Sequence, residues 1–161
     1  MQGNDPFTSL IHNVKVRTRS RSNPLVLRRK FGWELQNQLQ SHLKDQHDGE
    51  LPVGQAAIVE TRDATIPFLI SAPTMRVPMS VSNTLNAYLA FRAAIRAVRQ
   101  HNTENNRLIR SVLCPGLCTA IGRMPPRLAA KQMATAYRTC VLGHAIEPSS
   151  HWTLLGDRSD R

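Results

Sequence analysis

The chain has few aromatic residues and few cysteines, and it has no long apolar run. Its 161 residues include only three cysteines, and phenylalanine, tryptophan and tyrosine together make up 5%. A small, odd number of cysteines excludes a disulfide framework and favours a reducing compartment. No apolar run approaches the roughly 18 residues of a membrane span, and residues 1–30 lack the apolar segment of a secretory signal. We therefore expect a cytoplasmic protein, with the nucleus as the alternative.

Acidic residues are also scarce, and their shortage is uneven. The chain has 21 Lys and Arg against 11 Asp and Glu, a net charge of +10. Residues 1–30 hold seven basic side chains and one acid, Asp5, around an Arg-Ser run and the structure-breaking Asn23-Pro24. We predict that residues 1–29 form a disordered arm. The alternatives are an organellar transit peptide and a polyanion-binding arm of Arg17, Arg19, Arg21, Arg28 and Arg29.

From Lys30 onward the apolar spacing indicates a folded α/β domain. Phe31, Leu35, Leu39 and Leu43 recur at helical spacing. Further along the chain the pattern predicts two strands, Gly54–Glu60 and Pro67–Ser71, and then a long helix capped by Ser82 or Asn83. A third strand, Leu108–Leu113, follows, and the last helix begins at Pro125-Pro126 and is closed by Gly143. The order favours helices on both faces of a sheet within residues 30–143, followed by a polar tail, 144–161.

The run Cys114–Gly122 carries the clearest functional signal. A buried strand, a short loop with two glycines and a proline-opened helix are a common way to bring backbone N–H groups and a helix N-terminus to an anion. Gly122 is not followed by Lys-Ser or Lys-Thr, which excludes a P-loop nucleotidase. The alternative interpretation is a purely structural turn.

The cysteines suggest two further sites, and neither is favoured. Cys114, Cys118, Cys140 and His144 have the types and local spacing of a zinc site. The predicted helix between the two pairs would hold them roughly 24 Å apart, at about 1.5 Å per residue. No histidine has a spacing that places it beside Cys118 as a base. We therefore expect no metal and no cofactor.

Four segments resemble the macro domain, the ADP-ribose-binding fold. They are Phe31–Gln36, Leu51–Ala56, Ile70–Pro78 and Cys114–Gly122. The resemblance implies a three-layer α/β fold with a central mixed sheet flanked by helices. The family's first ligand loop, with its Asn-Ala-Asn segment, has no counterpart in residues 1–30. We therefore expect a divergent or truncated N-terminal part, with one or more strands missing.

The resemblance also implies a ligand and its site. The diphosphate of ADP-ribose, or of a related nucleotide, would lie on the second phosphate loop, formed by Gly116, Leu117, Cys118, Thr119, Ala120, Ile121 and Gly122. Cys118 and Ala120 stand where family glycines are expected, and we expect the Cys118 side chain to crowd the phosphates. No residue matches a catalytic motif, so binding with weak or no hydrolysis of ADP-ribosyl or O-acetyl-ADP-ribose groups is predicted. The alternatives are a basic protein that binds nucleic acid or another polyanion, and a degenerate domain without a ligand.

Overall fold

The computed structural model describes residues 24–145, and side chains from residue 31 onward. It contains three helices and two strands, which are α1 Pro24–His47, β1 Ala57–Glu60, β2 Phe68–Ser71, α2 Asn86–Glu104 and α3 Pro126–Cys140. The predictions for residues 1–23 and for the tail from residue 146 lie outside the described residues. Helix α1 begins at Pro24, inside the range predicted as the N-terminal arm.

Helix α1 supplies the first part of the core. Its axis is interrupted at Gly32, whose φ of +68° is a left-handed conformation that glycine adopts without steric cost. Beyond this kink Leu35, Leu39 and Leu43 are buried, as their helical spacing predicts. They pack with Leu51 and with three residues of the strands, which are Ala57, Val59 and Leu69. This apolar stripe fixes α1 against one face of the sheet.

The two strands form a small antiparallel sheet. Residue Ala57 pairs with Ser71, and Glu60 with Phe68 at the other end. Ala57 and Val59 alternate with less buried neighbours, which is the pattern of a strand with one covered face. On the opposite face Phe68 contacts the ring of His101 in α2 edge-on, with 4.8 Å between ring centroids. Helices and a small sheet give an α/β fold.

The predicted third strand, Leu108–Leu113, is wrong, because the structure has no strand in this segment. The side chain of Asn102 donates to the Ile109 carbonyl and accepts from the Ile109 amide, at 2.9 and 2.8 Å. One α2 side chain thus satisfies backbone groups that a neighbouring strand would otherwise pair. Leu108, Val112 and Leu113 remain exposed. Within residues 24–145 the sheet has two strands and is not mixed.

Helices α2 and α3 pack closely on each other through small residues. Ala87 and Ala90 of α2 and Ala129 and Ala136 of α3 are essentially fully buried. Helix α3 opens with Pro126 in its first turn, as predicted. It ends at Cys140, and Gly143 then adopts a φ of +74°, which lets the His144 amide return to the Arg138 carbonyl at 3.1 Å. This is the closing role that the sequence predicts for Gly143.

The start of helix α2 is satisfied by α3 as well as by Thr84, whose Oγ1 accepts from the Asn86 amide at 3.3 Å. The predicted caps, Ser82 and Asn83, are wrong, because α2 begins at Asn86 and has no side-chain cap at its N-cap residue. Instead, Oε1 of Gln132 accepts from the Tyr88 amide at 3.2 Å, and Nε2 donates to the Thr84 carbonyl at 2.8 Å. Gln132 has no exposed surface. A buried glutamine of α3 therefore satisfies the first turn of α2 from outside that helix.

We predict that Gln132→Leu lowers the free energy of unfolding by about 2–4 kcal/mol. The substitution preserves most of the side-chain volume but removes both polar contacts to the buried start of α2, and each lost buried partner costs about 1–3 kcal/mol. Urea denaturation monitored by circular dichroism measures the effect. Gln46→Leu, on the exposed side of α1, is the control and should change stability by less than about 0.5 kcal/mol. Equal stability of the two variants would contradict the capping role.

Candidate functional site

The loop Cys114–Gly122, here called the Gly loop, enters α3 from the exposed 108–113 segment. Leu117 and Cys118 are buried in the core cluster that α2 and α3 share, whereas Ala120 and Ile121 are exposed. The Met124 amide donates to the Cys118 carbonyl at 3.0 Å, and the Arg123 amide donates to the Ala120 carbonyl at 3.1 Å. The loop therefore has a buried base with internal hydrogen bonds and an exposed tip.

Gly122 anchors the Gly loop to the segment that precedes α2. Its carbonyl accepts from the Val81 amide at 2.9 Å. A Cβ atom at this position would lie 2.6 Å from the Cys118 carbonyl oxygen and 2.7 Å from Cγ2 of Val81. Real Cβ atoms essentially never come so close, so Gly122 is required here by close packing. Val81 had no signal in the sequence as a partner of the loop.

Cys118 occupies a backbone conformation that normally favours glycine. Its φ is +63°, in the left-handed region that costs a non-glycine residue roughly 1–2 kcal/mol. Its side chain is only 5% exposed and belongs to the apolar cluster beneath the loop. The thiol points into the core, so the expectation that it crowds a ligand on the outer surface of the loop is not what the structure shows.

The polar groups of the Gly loop divide into engaged and open ones. Oγ1 of Thr119 donates to the Gly116 carbonyl at 2.8 Å, so this hydroxyl stabilises the loop itself. A Cβ on Gly116 would lie 3.3 Å from the same Oγ1, a tight contact. The backbone amides of Gly116–Gly122 donate to no acceptor within residues 24–145. Ala120 and Ile121 are exposed, so the tip of the loop contributes open donors.

The sequence on either side of the Gly loop carries charge of one sign. The sequence has no Asp or Glu between Glu104 and Glu147, whereas Arg123 and Arg127 flank the junction of the loop with α3. The first turn of α3 likewise contains no acid. Open amides, a helix N-terminus and nearby guanidinium groups together favour an anion at this surface.

The two cysteines of the loop have the electrostatics of core residues. Burial raises the pKa of the Cys114 thiol to about 11. Burial also raises the pKa of Cys118 to about 11, against a smaller opposing effect from the Thr74 hydroxyl beside it. Both are thiols at neutral pH, so neither is an activated nucleophile. Residues 24–145 contain no group of three or more His, Cys, Asp and Glu side chains that could hold a metal ion.

The structure does not describe the side chains of the other predicted site residues. Arg17, Arg19 and Arg21 lie outside the described residues, and Arg28 and Arg29 lie in α1 before the first described side chain. Their role as a polyanion arm stays a prediction. None of the helices in the described part of the chain is long and apolar enough to cross a membrane.

One comparison with known proteins gives a family. The model of the Macro domain family matches residues 24–133, about two thirds of the chain. The matched region contains the Gly loop, both strands and α2, together with the first part of α3. No curated protein and no solved structure gave a significant match.

We predict that Cys114 and Cys118 react slowly with iodoacetamide in the folded protein. With a pKa of about 11, roughly one thiol in a thousand is ionised at pH 8, and the rate should rise through pH 10. Alkylation as a function of pH, read by peptide mass spectrometry, measures both sites. The same peptides in urea are the control and should ionise near the ordinary value of about 8.5. A rate that reaches its plateau below pH 9 in the folded protein would contradict the burial argument.

Proposed function

The chain belongs to the macro domain family, and we propose that it binds ADP-ribose or a related nucleotide diphosphate on the Gly loop. Members of this family generally bind ADP-ribose. The observation that carries the proposal is that the backbone amides of Gly116–Gly122 donate to no acceptor among the described residues, those of the exposed Ala120 and Ile121 included. A diphosphate is the part of the ligand that such donors would recognise.

Contacts within the protein hold the loop, and this supports the proposal. The Val81 amide donates a hydrogen bond to the Gly122 carbonyl, and the Met124 amide donates one to the Cys118 carbonyl. The Thr119 hydroxyl donates to the Gly116 carbonyl. A ligand would then bind to donors whose orientation is already fixed, which lowers the entropic cost of binding. The absence of any carboxylate from residue 105 to 146 removes the main source of repulsion toward phosphate.

We propose binding with weak or no hydrolysis. A hydrolase needs a group that orients or deprotonates water beside the bound ligand. The ionisable side chains within the Gly loop are Cys114 and Cys118, which burial keeps protonated at neutral pH. No other residue of the loop carries a general base.

We also propose that the complete domain has the three-layer arrangement of its family, with a wider sheet than the described residues contain. Two features support this. Helix α1 packs on one face of β1 and β2, while Phe68 contacts α2 on the other face. In addition, Leu108, Val112 and Leu113 are exposed large apolar side chains, and Arg107 just before them contacts Glu60 of β1, as in a segment that lacks its neighbouring strand.

We predict that Ile121→Glu weakens ADP-ribose binding at least about tenfold, or roughly 1.4 kcal/mol. Ile121 is 46% exposed, so the carboxylate would stand beside the open amides and repel the diphosphate without disturbing the core. Ile121→Gln has nearly the same shape without the charge and should change the dissociation constant less than threefold. Isothermal titration calorimetry measures the dissociation constant of ADP-ribose for the wild-type protein and the two variants.

Gly116→Val provides a second, steric test. Its side chain would press on Oγ1 of Thr119, 3.3 Å from a Cβ at this position, and distort the loop. We expect loss of ADP-ribose binding with a folded circular dichroism spectrum. If the folded wild-type protein gives no binding heat with millimolar ADP-ribose, the proposal is wrong and the degenerate-domain alternative replaces it. Equal affinity of Ile121→Glu and Ile121→Gln would place the ligand elsewhere on the domain.

A further inference from the structure

A second concave surface lies at the other end of α2, away from the Gly loop. This groove, of about 580 Å³, is formed by the end of α1, the turn before β1 and the second half of α2. Its polar lining consists of His47, Gln55, Arg96, Arg99 and Gln100. The alanines of α2 that belong to the Gly-loop cluster or pack against it are Ala87, Ala90 and Ala94, and Ala56 of the groove packs against the same cluster. Arg99 lies five residues beyond Ala94, about 7.5 Å along the helix at 1.5 Å per residue.

The groove has an apolar floor and a basic rim. Gly54 and Ala56 from the turn and Ala93 and Ala97 from α2 provide small surfaces with no polar side chain. Arg96 and Arg99 are three residues apart and therefore stand on the same side of α2. Both are exposed, and no carboxylate lines the groove. The volume lies within the range of roughly 300–1,000 Å³ that is typical of small-ligand sites.

The basic side chains of the groove have no acidic partner among the described residues. The ion pairs of the described residues join Glu34, Glu50 and Glu60 to Arg62, Arg76 and Arg107, in that order. Arg96 and Arg99 appear in no such pair within residues 31–145. Two guanidinium groups that line one groove and form no ion pair favour an anion there.

Other contacts hold parts of the rim in place. Nη1 of Arg99 donates to the Cys140 carbonyl at 2.8 Å, which fixes one edge of the guanidinium and leaves its other N–H groups open. Nδ1 of His47 and Oε1 of Gln55 lie 3.1 Å apart, so the turn before β1 is joined to the end of α1. The Gln100 side chain is held by Glu104 at 2.9 Å. An arginine held in this way loses less entropy when it binds an oxyanion.

We propose that this groove is a second anion site, which binds the phosphate group of a small phosphorylated molecule between Arg96 and Arg99. The planar guanidinium groups match two oxygens of a phosphate, and the alanine floor accepts an uncharged part of the ligand. The concave shape favours a small molecule over a nucleic-acid strand, which needs an extended track of contacts. The proposal does not rest on ADP-ribose binding at the Gly loop.

The test follows the binding of inorganic pyrophosphate to the full chain by NMR at 150 mM salt. Saturable shifts are expected at the backbone amides of Gln55, Ala97 and Gln100 and at the Nε–H groups of Arg96 and Arg99. In the double variant Arg96→Gln/Arg99→Gln the dissociation constant from these signals should rise at least about tenfold. The variant Ile121→Glu, altered at the Gly loop, should leave it within twofold.

The matched control is Arg92→Gln/Arg138→Gln, which removes the same charge outside the groove. Its dissociation constant should stay within twofold of the wild-type value. An equal weakening in both double variants would mean a general effect of net charge and would overturn the proposal. Shifts that do not saturate, or that are confined to residues 114–124, would also overturn it. The last experiment measures the binding of a 12-nucleotide single-stranded RNA. Tight binding that depends equally on Arg92, Arg96, Arg99 and Arg138 would indicate a polyanion-binding surface and would overturn the small-ligand proposal.

Discussion

The contact of Gln132 with the start of α2 is the interaction on which the rest of this domain depends. A helix begins with several amides that lack partners inside the helix, and burying them without compensation is costly. Gln132, with no exposed surface, satisfies the Tyr88 amide and binds the Thr84 carbonyl. It thereby fixes α3 against α2 along the axis of both helices, where alanine packing alone would tolerate sliding. Because α3 follows the Gly loop directly, the same contact sets the position of the loop.

Further contacts connect the α2–α3 interface to the Gly loop. Thr84, held by Gln132, lies three residues after Val81, whose amide binds the Gly122 carbonyl. Gly122 is the only residue type that fits between Val81 and Cys118, since a Cβ would approach both within 2.7 Å. A continuous chain of contacts thus leads from the α2–α3 interface to the exposed amides of Ala120 and Ile121. These donors are positioned by the core.

The sequence predicts the helices and both strands of the described residues, Ala57–Glu60 and Phe68–Ser71, and it is wrong about a third strand, for physical reasons that particular residues illustrate. Leu35, Leu39 and Leu43 point to one side of a helix whatever surrounds it, so their spacing alone identifies α1. The apolar run Leu108–Leu113 has the composition of a strand, but a strand needs a neighbour. The Asn102 side chain makes the hydrogen bonds of a neighbouring strand only at Ile109, and the rest of the run remains irregular. A contact between residues distant in the chain, such as the cap from Gln132, leaves no local signal.

The loop that precedes α3 was predictable in place but not in conformation. Two glycines before a proline-opened helix indicate a loop in the sequence, and the structure has a loop there. The sequence cannot show that Cys118 adopts a φ of +63° with its side chain in the core, because residue identity normally argues against that conformation. The strain, roughly 1–2 kcal/mol, is tolerated because the buried thiol, the Gly122 packing and the Met124 hydrogen bond to the Cys118 carbonyl all require the same backbone. A cysteine can thus replace a glycine beside an anion site when its side chain has space on the inner side of the loop. The outer side, where a phosphate would lie, then keeps the open surface that a glycine would give.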